Sequence, residues 1–122
     1  MNGNGRRTEV VLREVREERR RQMTKHGDQS HLPDGTGGWW GGSMELLRRH
    51  GARLIDWAQW AKSRTQDAAA TGTVTYLDIL AEEVFEALAE TDQARLRAEL
   101  VQVAAVAVQW VETIDHRAAG RA

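Results

Sequence analysis

Apolar residues recur at helical spacing along most of this chain. Between about Thr8 and Met23, Val11, Val15 and Gln22 fall near one face, with Leu12 and Met23 at its border, while Arg and Glu occupy the other faces. This predicts an amphipathic helix, preceded by a disordered tail over residues 1–7. "KHGDQSHLPDGTGGWWGG", Lys25 to Gly42, then breaks regular structure with clustered glycines, the only proline and an Asp-Gly pair. A loop of that length in a small domain is either functional or disordered. Ser43 can cap a second helix, with Glu45 near its positive end, and its stripe is Met44, Leu47, Gly51, Leu54, Ala58 and Ala61. That helix is expected to fray in "DAAATG" and stop near Gly72, a residue suited to a left-handed C-terminal cap.

Two further helices follow. Thr75, three residues before Asp78, reads as a capping box, and Leu77, Leu80, Val84 and Leu88 form the apolar face of a helix reaching about Glu90. Thr91 and Asp92 can cap the fourth helix at once, so the third and fourth should form an antiparallel hairpin. No strand-length alternation competes with this pattern. The expectation is one all-α domain over residues 1–122, arranged like a four-helix bundle.

Composition narrows the partners. The 122 residues carry a formal net charge of -1, with 17 basic and 18 acidic side chains, so bulk electrostatics draws the chain to neither nucleic acid nor anionic lipid. The absence of cysteine removes disulfides and thiolate metal sites from consideration. The longest apolar stretch, Leu100 to Val111, is shorter than the roughly 20 residues a bilayer span requires. The N-terminus has no apolar run of signal-peptide length, and a cytoplasmic protein is the expectation.

One residue conflicts with this plain pattern. At about 100° per residue, Glu99 shares the sector of Leu96, Val103, Val106 and Trp110, so it faces the interior. An unpaired ionised carboxylate there would cost several kcal/mol, so it must be neutralised, hydrogen-bonded, matched by a cation or placed where the interior opens to solvent. Counting eight residues back and eight forward from Thr91 brings Glu83 level with Glu99. Glu86 follows Glu83 by one turn, Gln102 follows Glu99 by one turn, and Glu82 stands beside them. The set is oxygen only, which suits Mg2+ or Mn2+. Two plainer readings compete: "AEEVFEALAE" resembles an ordinary solvated helix face, and an arginine from the first helix can pair with Glu99.

"EEVFE" followed by "ELVQ" resembles the EExxE…ExxD signature of the all-α nucleoside triphosphate pyrophosphohydrolases, the MazG-like superfamily. The stretch from Tyr76 to Asp115 is similar to the catalytic hairpin of its short phage and actinobacterial members, and "RQMTKHGDQSH" is similar to their substrate loop. The likeness runs from about Glu14 to Asp115. It implies a MazG-type fold that hydrolyses a nucleoside triphosphate, or a related nucleotide, to monophosphate and pyrophosphate. By position it assigns Mg2+ to Glu83, Glu86, Glu99 and Gln102, with Gln102 an amide where the family has a carboxylate.

Glu82 or Glu86 is the candidate to position or deprotonate the attacking water. Lys25 is a candidate point charge on phosphate. Gln22 and Gln29 are candidates to hydrogen-bond a base edge, with His31 beside them. Trp39, with Trp40, would stack on a base, cover the pocket, or dock on a neighbouring subunit. Trp57, Trp60 and Trp110 read as packing residues. A homodimer or homotetramer is expected from the apolarity of the fourth helix, and the resemblance agrees. Two other classes remain: a catalytically inactive nucleotide-binding regulator, and a helical interaction module using "REVREERRR", Arg13 to Arg21.

Overall fold

The computed structural model describes residues 3–37 and 53–120. Among them the chain is all-α, with helices α1 (Gly3–His26), α2 (Leu54–Ala70), α3 (Tyr76–Ala89) and α4 (Gln93–Gly120). The start of the second helix expected at Ser43 and the Trp39–Trp40 pair lie outside the described residues. No described helix is long and apolar enough to cross a membrane. The chain divides into two compact units: residues 1–33 with 107–122, and residues 34–106.

In the first unit α1 begins at Gly3, so residues 3–7 are helical where a disordered tail is expected. Apolar periodicity starts only at Val10, but extending an existing helix fixes one residue per hydrogen bond gained, which needs no apolar stripe. At the other end Lys25 and His26 occupy the last turn, favourably placed against the negative helix terminus. Gly27 then turns left-handed at φ 69°, its N–H donating to the Met23 carbonyl at 2.8 Å. Only Val11 of the expected α1 stripe is buried, while Val15 and Met23 are exposed.

The second unit is built on an antiparallel pair, α2 and α3, which the sequence pattern does not announce. Leu54 and Ala61, two turns apart on α2, are both buried. Trp57 meets Phe85 edge-to-face at 5.5 Å between ring centroids. At the other end of the pair, Arg64 Nε donates to Asp78 Oδ1 at 3.0 Å, and Thr65 Oγ1 lies 3.1 Å from the Asp78 carbonyl oxygen. The connection turns at Gly72, φ 70°, where the expected left-handed cap is found.

The expected capping box is present at the start of α3. The Asp78 amide donates to Thr75 Oγ1 at 3.3 Å, and the Thr75 amide donates to Asp78 Oδ2 at 3.1 Å. After Ala89 only three residues intervene before α4. Glu90 Oε1 accepts from the amides of Thr91 and Asp92, and Asp92 Oδ2 caps α4 by accepting from the Arg95 amide at 2.9 Å. Gly37 is tied to this corner: its amide donates to the Leu88 carbonyl at 2.9 Å. Its φ of 130° suits glycine, and a Cβ there would lie 3.7 Å from Thr91 Cγ2.

Candidate carboxylate site

The end of α3 and the start of α4 carry the site. Glu82, Glu83 and Glu86 follow one another along α3, and Glu99 reaches toward them from the second turn of α4; all four are half-buried. Glu83 Oε2 and Glu99 Oε2 are each sealed from solvent with no hydrogen-bond partner. A carboxylate oxygen in that state retains its full desolvation cost, so it holds a proton, takes up a cation or raises the energy of the fold.

The protonation equilibria record this conflict. Burial, then the hydrogen bond with Glu90, then the charges of Glu90, Glu86 and Glu83 push the Glu99 carboxyl up to about 7. Burial foremost, and the Glu82 charge after it, raises Glu83 above the usual carboxylate range. Glu86 is raised by burial, by the charges of Glu83 and Glu82 and by a hydrogen bond with Glu82, while the Lys62 charge opposes the shift. Glu90 moves the other way, held down chiefly by the Asp92 amide. The proton shared by the Glu90–Glu99 pair therefore sits on Glu99.

Glu90 joins the residues that the count about Thr91 brings together. Glu90 and Glu86 act on Glu99 more strongly than Glu83 does. Residues 90–92 are non-helical, so α3 ends and α4 begins two residues either side of Thr91, and Glu83 and Glu99, eight residues either side of it, each carry a sealed oxygen. Glu90 is the member that the sequence pattern misses. Its place at a helix end reads as solvent, and only the three-dimensional turn folds it back toward Glu99.

The other candidates are dispersed. Gln102, one turn beyond Glu99, is exposed, as is Lys25 in the last turn of α1. Gln22, expected on a buried stripe, is exposed and accepts from Arg19 Nη1 at 2.8 Å, because the α1 stripe is covered at Val11 and not at its C-terminal end. Gln29 and His31 are exposed in the turn after α1, where the Leu32 amide donates to the Gln29 carbonyl at 3.0 Å. Gln22, Lys25, Gln29 and His31 belong to the first compact unit, and Gln102 and the carboxylates to the second. Trp39 lies outside the described residues.

An all-oxygen set with two orphaned, buried oxygens fits a hard divalent cation in its chemistry. Among the described residues, however, no three acidic or imidazole side chains are close enough to cage an ion as they stand. The two facts are compatible for Mg2+, which commonly takes one or two carboxylates and completes its shell with waters and substrate phosphates. The acids are not fully solvated, and among the described residues no arginine forms an ion pair with Glu83, Glu86 or Glu99. Comparison with protein families, curated proteins and solved structures finds no match to this chain.

Proposed function

We propose that the α3–α4 carboxylate cluster binds Mg2+, with Mn2+ as a substitute, and that the protein hydrolyses a nucleoside triphosphate or related nucleotide to the monophosphate and pyrophosphate. The observation carrying this reading is the pair of buried, unpartnered oxygens on Glu83 of α3 and Glu99 of α4, within a cluster that repels itself. The likeness of "EEVFE" and "ELVQ" to the MazG-like signature supplies the reaction class. A divalent cation supplies charge neutralisation and a polarised phosphorus–oxygen bond when bound.

The chain's own residues do the rest. Glu83 and Glu99 hold the cation directly, Glu86 reaches it through a bound water, and exposed Gln102 contributes at most an amide oxygen at the solvent edge. Glu82 and Glu86, joined by a hydrogen bond, orient a water toward the α-phosphorus, and the raised proton affinity of Glu86 makes it the better acceptor of the proton that water gives up. Water adds one P–O bond and the bond to the pyrophosphate leaving group breaks. Gln22, Lys25, Gln29, His31 and Trp39 are candidate nucleotide contacts on the sequence likeness alone. Exposed Leu100, Val101 and Ile114 on α4 support association as a homodimer or homotetramer. The setting proposed is cytoplasmic.

The test is a nucleotide panel with Mg2+ and Mn2+, scored for monophosphate and pyrophosphate, with Glu83→Ala alongside. Turnover with pyrophosphate release, lost in the variant, supports the reading; equal turnover in the variant eliminates the assignment. A second reading, a nucleotide-binding regulator without turnover, is favoured by the neutral, exposed Gln102, and binding without product formation would establish it.

A further inference from the structure

The α2–α3 seam has two flanks of opposite character. Trp57 against Phe85 and Arg64 against Asp78 fix an antiparallel register that brings Lys62 level with the stretch from Leu80 to Glu83. In steps of about 100°, Trp57, Trp60 and Arg64 fall on one side of buried Ala61 and Lys62 on the other. On the first side Arg64 is committed: it is bonded to Asp78 and lies over the Trp60 ring at 5.7 Å. Lys62 faces the carboxylates instead, and its charge reaches Glu86. Among the described residues it closes no ion pair within 4.0 Å.

An exposed, uncommitted ammonium at the lip of an acidic cluster has a limited set of uses. Glu82, Glu83, Glu86 and Glu99 outnumber it, so it cannot neutralise the cluster as a counter-ion. A polyphosphate brought over those acids presents several negative oxygens, of which only some can turn toward a cation among the carboxylates. The remainder need a donor on the α2 side. A lysine is suited to this, as a compact charge on a flexible stem with three rotatable N–H groups.

We propose that Lys62 grips the phosphate tail of the substrate, its ammonium donating to non-bridging phosphate oxygens at the α2 edge of the carboxylate cluster. The inference rests on the pyrophosphohydrolase reading and adds a substrate-positioning residue to it. Lys62 carries no proton to or from the reacting atoms; it fixes where the tail lies. Its loss therefore weakens binding of phosphate chains more than it slows bond cleavage.

Calorimetric titration of the full-length chain with inorganic tripolyphosphate, in saturating Mg2+, tests this on the wild type, Lys62→Met and Lys62→Arg. The expected result is about tenfold weaker binding in Lys62→Met, the loss of one charge-assisted contact, with most of the affinity kept in Lys62→Arg. Steady-state kinetics should show the same split, KM rising about tenfold in Lys62→Met and kcat changing by about twofold or less. Mg2+ binding without phosphate should be undiminished in Lys62→Met, since removing a cation cannot weaken a cation site by charge. Unchanged tripolyphosphate affinity in Lys62→Met, with an active wild type, overturns the role of Lys62 alone. A wild type that neither binds tripolyphosphate nor cleaves any nucleotide overturns both this inference and the enzymatic reading.

Discussion

Asp78 and Glu83 stand on the same helix, little more than one turn apart, and their carboxylates meet opposite fates. Asp78 is buried, yet both its oxygens are used: Oδ1 by Arg64, Oδ2 by the amide and hydroxyl of Thr75. The Arg64 hydrogen bond, followed by those of Thr75, holds its carboxyl below the usual range. Glu83, with Glu86 and Glu99, has burial without that compensation and is pushed the opposite way. Burial alone thus does not mark a functional acid. What separates the two regions is satisfaction of the oxygens, which reads as structure at Asp78 and as capacity for a ligand at Glu83.

Substitution separates the two acids most strongly. Glu83→Ala should reduce nucleotide turnover by about 100- to 1000-fold, the scale of losing a group that stabilises developing charge, measured as pyrophosphate release. Asp78→Ala should do the reverse: turnover per folded molecule within about twofold of wild type, with a melting temperature lower by roughly 5 °C or more. Full activity in Glu83→Ala, or an unaltered melting point in Asp78→Ala, would erase the distinction.

Acidity sharpens it further, because the two regions have opposite sign. Glu99 binds its proton more tightly folded than unfolded, so its contribution to stability is complete below the ordinary carboxylate range and is lost as pH rises through about 7. Asp78 binds its proton more weakly when folded, so its contribution holds above that range and is lost as pH falls through its lowered value. Metal-free protein should accordingly melt higher at pH 5 than at pH 8, and lower again near pH 3. Millimolar Mg2+ should raise the melting point at pH 8, by a few degrees if its concentration is well above Kd, and should do so much less at pH 5, where protons compete for the same oxygens. The smallest change expected is in Gln102→Asp: an exposed added charge should tighten Mg2+ binding by about fivefold at most, read by titration.

The parts of this molecule legible in its sequence are those decided within a few residues. The Thr75–Asp78 capping box, the left-handed Gly72 and the Asp92 cap each depend on neighbours three or fewer positions away. That α4 turns Glu99 inward was also legible, since helical periodicity alone places it with Leu96. The part of Glu90 was not. The non-helical stretch over residues 90–92 brings it to Glu99, and no local rule specifies how such a stretch runs. The α2–α3 pairing was equally hidden, because Arg64 meets Asp78 only after the chain has reversed at Gly72. Gln22 shows the converse error: a periodic position becomes buried only if another element arrives to cover it, and here it is exposed.

Ala87 matters for what it lacks. It is almost wholly buried, and it stands one turn after Glu83 on α3 and beside Glu86. A bulkier residue at that filled position would overpack it and force the helix beside Glu83 and Glu86 to shift. The ground under the acids is thus kept by a side chain too small to take any part in their chemistry.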